Sequence, residues 1–363
     1  MTSTPTIALA HDYLSVRGGA ERVVVAMAEQ FPEAPLYTSF FRRDLYPELD
    51  GRDVVASPTN RVRQLGRHYR AALPILPMIW NRIEVRSDAD VVICSTSGWS
   101  HGIRTDIPKI AYCHNPARWL YQRDEYTSTM PWSSVTLATL SPWLRRWDRR
   151  AADSCACYVA NSTVVAQRIQ SVYGREAAVI PPPTSLDPEG PQRPLDGIEP
   201  GFVLCVSRLL GYKNVDAIVA AAASLPEVRW VVVGDGPLRP ELERRRPANV
   251  DLVGEVDDDR LRWAYAHSIG LVSAAFEDFG LTPVEAAMFG RPSALLRAGG
   301  FLDSCVEGTS GVFFESPTPG AIADGVRRML GSSWSAAAIK ATAERFSSDR
   351  FAAELRAVIG SVI

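Results

Sequence analysis

The segment 276–285 carries the residues best suited to chemistry, because two glutamates, Glu277 and Glu285, stand in it with seven residues between them. The segment follows an apolar run and opens a predicted helix, whose free N-terminal N–H groups favour an anion. Acidic side chains at Glu277 and Asp278 beside such a helix start are explained if the ligand is a sugar diphosphate. Its phosphates would accept hydrogen bonds from backbone N–H groups, and a carboxylate would accept them from the sugar hydroxyls.

The same segment also has a purely structural interpretation. Thr282 suits the N-cap, Pro283 suits the first helical position, and Glu285 completes a capping box with Thr282. This interpretation leaves Glu277 unexplained, so we predict that Glu277 holds sugar hydroxyls and that Glu285 does more than cap its helix. The phosphates are predicted to meet the backbone around three further residues: Phe279, Gly280 and Leu281.

Two cations, Arg208 and Lys213, directly follow a predicted strand that ends at Ser207. Ligands of parallel sheets bind beyond the carboxyl ends of the strands, so this position favours a ligand over solvated loop charges. Without a metal, fixed cations and helix N-termini must stabilise a leaving diphosphate, and these two are the candidates. As loop cations they are expected to contribute little to folding stability.

Gly18 and Gly19 lie shortly after the first predicted strand and just before the first predicted helix. Glycines at this point let the backbone approach an anion closely, although a plain strand-to-helix turn explains them equally well. The sequence contains neither G-x-G-x-x-G nor the P-loop lysine motif, which are the two commonest phosphate fingerprints.

Short apolar runs alternate with amphipathic helical stretches along the whole chain, which predicts two successive doubly wound parallel sheets in an α/β protein. Most runs lack strict alternation, as expected for strands covered on both faces. Three prolines at 181–183 and a Pro- and Gly-rich stretch to residue 201 predict a linker. We therefore predict an N-terminal domain over 1–190, a C-terminal domain over 191–345, and a terminal helix over 346–363 that packs back on the N-terminal domain.

The segment 277–286 resembles the signature of glycosyltransferase family 4, and the resemblance covers most of the chain, most strongly over 202–314. Arg208 and Lys213 resemble the phosphate clamp of that family. Further matches are the N-terminal glycine loop with Gly18 and Gly19, the nucleotide-side loops with Gly234, Asp235, Gly254 and Asp257, and the C-terminal part with Gly299, Gly300, Glu307, Gly308 and Gly311.

The resemblance implies a GT-B fold, in which two Rossmann-like domains face a central cleft, and a retaining, metal-independent transfer from a nucleotide sugar. It implies that the N-terminal domain, over 1–190, is the acceptor side and that the C-terminal domain, over 191–345, binds the nucleotide sugar. It implies no cofactor. The residues predicted to contact the donor are Gly18, Gly19, Gly234, Asp235, Gly254, Phe279, Gly280, Leu281 and Glu285, the last at the ribose. The residues predicted to act in catalysis are His114, Arg208, Lys213 and Glu277.

His114 ends a predicted strand, within a segment, 112–121, that resembles members transferring mannose in bacterial surface-polysaccharide synthesis. His114 would face the transferred sugar. The opening residues 11–14 resemble the same branch, which ranks GDP-mannose first among donors and predicts a lipid-linked or other glycan acceptor. A UDP-sugar or other donor, a GT-B epimerase or phosphorylase, and a nucleotide-sugar-binding protein without catalysis remain alternatives.

Two acidic clusters resemble metal sites only superficially. Asp88 and Asp90 have the D-x-D spacing of metal-dependent GT-A enzymes, but they precede an apolar run instead of following it, so a turn is predicted. The acidic run 257–259 precedes a helix and suits capping. We predict no metal site.

Composition excludes several classes of protein. A net charge of −2 argues against nucleic-acid binding. Six cysteines in 363 residues do not make a disulfide scaffold, and Cys94, Cys113 and Cys205 fall in apolar runs, so buried thiols are predicted. With neither a signal-peptide pattern nor an apolar run of about 18 residues, a cytoplasmic location is expected.

Two stretches, 61–82 and 143–150, combine arginines with apolar and aromatic residues. They predict either solvated helix faces with tryptophans packed inward or peripheral contact with the inner face of an anionic membrane that carries a lipid-linked acceptor.

Overall fold

The computed structural model describes residues 5–62, 75–85, 88–122, 134–184 and 186–363, with backbone alone over 134–138. The chain divides into two compact units. Unit 1 comprises Met1–Pro183 together with Ser348–Ile363, and unit 2 comprises Thr184–Ser347.

Unit 1 contains a seven-stranded parallel sheet in the order β3-β2-β1-β4-β5-β6-β7. Its strands are β1 Ile7–His11, β2 Leu36–Thr38, β3 Val54–Ala56, β4 Val91–Thr96, β5 Lys109–Cys113, β6 Cys157–Ala160 and β7 Ala177–Val179. In the N-terminal part of unit 1, which ends at Pro183, the described α-helices are α1 Gly19–Gln30, α2 Leu76–Trp80, α3 Arg118–Tyr121, α4 Ser134–Asp153 and α5 Thr163–Tyr173.

Unit 2 contains a six-stranded parallel sheet in the order β10-β9-β8-β11-β12-β13. Its strands are β8 Phe202–Val206, β9 Trp230–Val233, β10 Val250–Gly254, β11 Ser268–Ser273, β12 Ser293–Leu296 and β13 Gly311–Phe314. Its helices are α6 Val215–Ala222, α7 Arg239–Arg245, α8 Asp258–His267, α9 Leu281–Met288, α10 Phe301–Ser304, α11 Pro319–Gly331 and α12 Ala336–Ala343.

Both sheets are covered on both faces, which explains why their strands are apolar runs without alternation. In β1, Ala8 and Ala10 belong to one buried cluster, whereas Leu9 belongs to the cluster on the opposite face. In β8, Val203 and Leu204 divide between two clusters in the same way. The predicted pair of doubly wound parallel sheets is confirmed.

The second unit begins before the predicted boundary at residue 190. Leu186, Leu195 and Ile198 are buried in one cluster with Phe202, and Arg262 donates from Nε to the carbonyl of Asp187 at 2.8 Å. The Pro- and Gly-rich stretch predicted as a linker is therefore packed onto unit 2, because its few apolar residues reach the core.

The helix α13, Ser348–Val362, returns to unit 1 after the whole of unit 2. Phe351, Leu355 and Ile359 are buried in the cluster that also contains Leu9. The ring of Phe351 lies 5.7 Å from that of Tyr112, edge to face. This helix thus forms part of the unit 1 core.

The three cysteines predicted in apolar runs are buried and free. The exposed fractions of Cys94, Cys113 and Cys205 are 0%, 1% and 2%. Burial raises the pKa of Cys205 to about 12, so this thiol stays protonated and unreactive at neutral pH. Of the described helices, none is both long and apolar enough to span a membrane.

Candidate active site

The strand order of unit 2 reverses between β8 and β11, which lie side by side at the centre of the sheet. The carboxyl edge at such a reversal is where open parallel sheets bind ligands. Arg208 and Lys213 follow β8, and Glu277 follows β11. The topology therefore brings the predicted cations and the predicted sugar-binding carboxylate to one place.

Lys213 and Glu277 are in direct contact, with Nζ of the lysine donating to Oε1 of the glutamate. Their side chains are 10% and 27% exposed, and the ammonium lies 5.1 Å from the centre of the Tyr212 ring. Asn214, whose φ of 53° is in the left-handed region, donates from Nδ2 to the carbonyl of Ala274 at 2.8 Å. This bond joins the loops that follow β8 and β11, and so helps to hold Lys213 and Glu277 next to each other.

Arg208 is exposed and donates to the hydroxyl of Tyr212 at 3.1 Å. Tyr212 therefore lies between the two cations and contacts both. An exposed guanidinium held at one end can bind an incoming phosphate in two-pronged fashion.

The loop that carries Glu277 packs against the backbone of two glycines, Gly299 and Gly300. Gly300 donates from its N–H to the carbonyl of Glu277 at 2.9 Å. A Cβ at Gly300 would overlap the backbone of Phe279, and one at Gly299 would overlap the carbonyl of Glu277. Two backbones thus meet at a distance that only glycine allows, which accounts for the paired glycines at this point of the sequence.

The capping-box interpretation of Thr282 and Glu285 is wrong. The helix α9 begins at Leu281, and its N-cap is Gly280 with φ of 88° and no side-chain cap. Gly280 has no side chain that could cap the helix and Pro283 has no N–H, so Leu281 and Thr282 are the residues of the first turn that can donate a backbone N–H to water or to a ligand. The side chain of Phe279 is 4% exposed and packs 5.4 Å from the ring of Phe346, so this residue can offer a ligand only its backbone.

Glu285 is buried within unit 2, with 4% of its surface exposed, and Oε2 accepts from the hydroxyl of Tyr265 at 2.6 Å. Tyr265 lies on α8 and stacks on Phe289 with ring centres 5.7 Å apart. A buried carboxylate needs such donors to offset its lost hydration. The partner that sequence spacing suggested, Thr282, is therefore replaced by a tyrosine from a neighbouring helix.

If Glu285 binds the ribose as predicted, Glu285→Gln should weaken binding of a nucleoside diphosphate roughly tenfold, because the ribose hydroxyls would lose a charged acceptor. The melting temperature should change little, since the amide oxygen still accepts from Tyr265. The matched control is Tyr265→Phe, which leaves the carboxylate charge intact and should lower stability by about 1–3 kcal/mol with less effect on affinity. Calorimetric titration with GDP and with UDP, beside thermal melts, measures both. Unchanged affinity in Glu285→Gln would remove the ribose assignment.

Gly234, Asp235 and Gly254 meet at the carboxyl ends of β9 and β10. The N–H of Gly234 donates to the carbonyl of Gly254 at 2.8 Å, and their φ angles are 127° and 81°. Asp235 accepts from the N–H of Gly236 at 2.6 Å, and its carbonyl accepts from the N–H of Leu209 at 2.9 Å. This loop is therefore tied to the one that carries Arg208.

The helix α1 begins at Gly19, with Gly18 as an extended N-cap. Glu21 lies in the first turn, and its Oε2 would be 2.6 Å from a Cβ at Gly18. No described atom lies within 4 Å of the Cβ position at Gly19. The start of α1 thus has its own carboxylate on one side and open space on the other.

The strand order of unit 1 also reverses at its centre, between β1 and β4. His114 follows β5 and is 6% exposed, and its Nε2 lies 2.8 Å from Oγ of Ser95. His11, at the end of β1, contacts the same hydroxyl through Nδ1 at 2.9 Å. Sequence reasoning identified His114 but not Ser95, because serine at a strand end carries no signal of its own.

Asp90 is a structural residue at the amino edge of the unit 1 sheet. Its Oδ2 accepts from the N–H and the hydroxyl of Thr6 at 2.7 and 2.8 Å, which lowers the pKa of Asp90. Asp257 is the N-cap of α8 and accepts from the N–H of Arg260 at 3.0 Å, as predicted. Across the described ranges, no cluster of three potential metal-ligating side chains occurs.

Both units match known families of protein domains. Residues 17–188 match the family described as Glycosyltransferase Family 4, and residues 192–346 match the family described as Glycosyl transferases group 1. The chain belongs to the family-4 type of glycosyltransferases. The predicted family-4 resemblance and GT-B fold are therefore confirmed, whereas the resemblance to mannose-transferring members is not.

Two curated relatives illustrate the sequence similarity to this family. The chain is 30% identical over 171 residues to glycogen synthase of Thermus thermophilus, which covers 43% of this chain and 39% of that protein. It is 30% identical over 210 residues to D-inositol 3-phosphate glycosyltransferase 2 of Catenulispora acidiphila; this alignment covers 50% of this chain and 49% of that protein. The aligned part thus spans half or less of each relative's length.

Two solved structures share the fold over nearly the whole chain. Anabaena HepE in complex with UDP and glucose has a TM-score of 0.72 at 17% identity, over 99% of this chain and 100% of that one. Sucrose-phosphate synthase from Thermosynechococcus elongatus has a TM-score of 0.70 at 18% identity, over 99% of both chains.

Proposed function

We propose that the protein transfers a hexose from a nucleoside-diphosphate sugar to a glycan or lipid-linked acceptor, with retention and without a catalytic metal. The observation that carries this proposal is the contact between Lys213 and Glu277 at the carboxyl edge of β8 and β11. A cation for the phosphates and a carboxylate for the sugar hydroxyls stand there side by side.

The leaving nucleoside diphosphate carries several negative charges, and unit 2 offers three groups of the right sign for them. Arg208 and Lys213 supply cations, and the start of α9, whose N-cap is Gly280, supplies backbone N–H groups. Fixed donors of this kind stabilise charge without reorganising during the reaction. Glu277 would hold the hydroxyls of the sugar, and Glu285 those of the ribose.

In the proposed reaction an acceptor hydroxyl oxygen bonds to the anomeric carbon on the face that the diphosphate leaves. The bond from that carbon to the diphosphate oxygen breaks, and the departing phosphate takes the proton of the hydroxyl. No side chain of the chain is assigned as nucleophile or general base. His114 of unit 1 would contact the sugar.

GDP-mannose is proposed as the first donor to test, on the resemblance of 11–14 and 112–121 to mannose-transferring members. UDP-glucose is the second, because HepE was solved with UDP and glucose. We propose incubation with a panel of GDP- and UDP-sugars in excess EDTA, followed by NMR of the product. Release of nucleoside diphosphate with a product of the donor's anomeric configuration is expected.

Three other outcomes of this panel would contradict parts of the proposal. Activity lost in EDTA and restored by Mg²⁺ or Mn²⁺ would refute metal independence. An inverted anomer would refute retention. Tight binding of a nucleotide sugar with neither transfer nor hydrolysis would favour a binding protein over an enzyme.

The helix α4 presents a basic face that fits a membrane carrying the acceptor. Trp143 is 48% exposed, and four exposed arginines follow it at helical spacing: Arg145, Arg146, Arg149 and Arg150. The opposite face is buried through Leu144 and Asp148. Trp147 is packed 5.8 Å from the Trp99 ring, as the solvated-face alternative predicts. The exposed Trp143 beside the arginines supports the proposal of membrane contact. Most of the other stretch, 61–82, lies outside the described residues.

Replacement of Arg146, Arg149 and Arg150 by glutamine is expected to weaken binding to anionic vesicles roughly a hundredfold, since each contributes about 1 kcal/mol near such a surface. Arg145 is left in place because it donates to the carbonyl of Leu120 at 3.0 Å. Co-sedimentation with phosphatidylserine vesicles at low salt measures the effect.

The matched control replaces three other exposed arginines, Arg43, Arg244 and Arg245, with glutamine. It changes the net charge equally but leaves the α4 face intact, so binding should stay near that of the wild type. Equal loss in both variants would mean that net charge alone drives adsorption and would reject the α4 surface.

A further inference from the structure

Three buried side chains at the carboxyl edge of the unit 1 sheet form a continuous hydrogen-bonded chain. His11, Ser95 and His114 are 1%, 0% and 6% exposed. His11 pairs with Ser95 across β1 and β4. The backbone N–H of His114 donates to the carbonyl of Thr96 at 2.8 Å, and Asn161 donates to the carbonyl of His114 at 3.3 Å. The three side chains are therefore held by sheet register and backbone bonds.

The carbonyl of Ser95 determines where the protons lie. A carbonyl oxygen only accepts, and Nδ1 of His11 lies 3.1 Å from it in hydrogen-bonding geometry, so this nitrogen carries a proton. The same N–H lies 2.9 Å from Oγ of Ser95, which accepts from it. The oxygen could accept a second bond, but a proton on Nε2 of His114 would leave the buried Ser95 hydroxyl without an acceptor among the described residues. The hydroxyl proton of Ser95 is therefore assigned to Nε2 of His114, 2.8 Å from Oγ. Nε2 of His114 is the acceptor of this bond.

The second nitrogen of His11 does not alter this assignment. Its Nε2 is buried without a hydrogen-bond partner among the described residues, and Oε1 of Glu21 lies 4.0 Å from it. Nδ1 donates in either charge state of His11, so the direction of the chain is the same whether or not Nε2 is also protonated. The contacts that orient the His11 ring are those to Ser95.

We propose that Ser95, supported by His11, is a positioning residue that fixes His114 as the neutral imidazole with its proton on Nδ1. With Nε2 occupied as an acceptor, the ring of His114 can act toward a ligand oxygen only as a donor, through Nδ1. This use of the ring rests on the proposed function, in which His114 contacts the donor sugar. The fixed tautomer itself does not depend on that function.

The neighbouring Asp12 binds the backbone of the loop that follows β4. Its Oδ2 accepts from the N–H of Ser97 and its Oδ1 from that of Ser100, both at 2.7 Å. Ser100 is fully buried and its hydroxyl donates to the carbonyl of Ser95 at 2.8 Å, yet no hydrogen bond joins this hydroxyl to His11 or His114. Ser100→Ala is therefore a matched control for Ser95→Ala.

The test reads the tautomer directly, on the full chain with ¹⁵N-labelled histidine rings and at a pH above about 8, where imidazoles are neutral. Long-range ¹H–¹⁵N spectra distinguish the Nδ1–H form from the Nε2–H form, and the His114 signals are those missing from His114→Asn. We expect Nδ1–H in the wild type and in Ser100→Ala. Ser95→Ala should move His114 toward the Nε2–H form that free histidine prefers.

Kinetics supply a second readout that a merely structural role would not move. Loss of one hydrogen bond to the ring predicts a roughly tenfold lower kcat in Ser95→Ala with little change in KM for the donor. Ser95→Thr keeps the hydroxyl and should restore both the tautomer and kcat. If Ser95→Ala does not fold, His11→Asn, which keeps a donor near the Nδ1 position, and His11→Leu, which removes it, provide the same comparison.

The tautomer of His114 and the role of His114 in transfer are tested separately. An Nε2–H form of His114 in the wild type, or the same tautomer in wild type and Ser95→Ala, would overturn the proposal. A tautomer that changes as expected while both Ser95→Ala and His114→Asn keep full kcat would uphold the positioning by Ser95 and refute the proposed role of His114 in transfer.

Discussion

Replacing Lys213 with alanine is expected to lower kcat roughly 10²- to 10³-fold, as for the loss of one preorganised charge-stabilising donor. Its ammonium is already placed, since Nζ donates to Glu277 and lies 5.1 Å from the Tyr212 ring. Arg208→Ala is expected in the same range, because we propose that this second cation contacts the same leaving group.

The two variants should differ in stability. A loop cation was expected to contribute little to folding, and for the exposed Arg208 this expectation stands. The side chain of Lys213, however, is only 10% exposed, and its removal leaves the carboxylate of Glu277 without its cation. We expect Lys213→Ala to lose about 1–3 kcal/mol of unfolding free energy and Arg208→Ala to melt like the wild type.

A double variant separates the catalytic effect from the stability effect. Lys213→Ala with Glu277→Gln removes the uncompensated charge and should recover much of the melting temperature while kcat stays low. Initial rates at saturating donor and acceptor, beside thermal melts, provide the comparison. Wild-type turnover in Lys213→Ala would exclude this lysine from the mechanism.

Gly234→Ala is expected to cost about 3 kcal/mol or more of stability, the largest effect on folding that we predict. With φ of 127°, Gly234 occupies backbone space that other residues rarely adopt. A Cβ there would also overlap the carbonyl of Ser207. The strand β8 or the loop carrying Arg208 would have to move, so turnover should fall as well.

Two other glycines separate strain from overlap. Gly308 has φ of 77° with no atom within 4 Å of its Cβ position, so Gly308→Ala measures strain alone, about 1 kcal/mol. Gly19 begins a helix with no such neighbour, so Gly19→Ala should leave the melting temperature unchanged or raise it. If Gly234→Ala and Gly308→Ala had the same melting temperature, the overlap of the new Cβ with the carbonyl of Ser207 would have no energetic consequence.

The apolar runs predicted the fold well because strands buried on both faces have few polar side chains to interrupt them. Apolar runs over 36–38, 157–160, 230–233 and 293–296 coincide with the strands observed there. The edge strand β3, Val54–Ala56, has only three residues and is half-buried, and the sequence alone did not identify it. The helix α5 was missed although Ser162 caps its start and Gly174, with φ of 67°, ends it.

The site was predictable where it follows from topology and unpredictable where it depends on partners. Arg208, Lys213 and Glu277 meet because strand ends of a parallel sheet share one edge. Tyr265 could not be predicted as the partner of Glu285, since it lies twenty positions away on another helix. A local capping motif explained Glu285 equally well from sequence, and only the observed start of α9 excludes it.

The return of α13 to unit 1 has a consequence for how the protein is made. A ribosome must synthesise all of unit 2 before Phe351, Leu355 and Ile359 emerge, and these side chains close the cluster around Leu9. Unit 2 is contiguous and can complete its core during translation, whereas the nascent unit 1 exposes an apolar patch on its sheet throughout that interval. The N-terminal half of the chain is therefore the part that a chaperone would need to protect, and it finishes folding last although it is synthesised first.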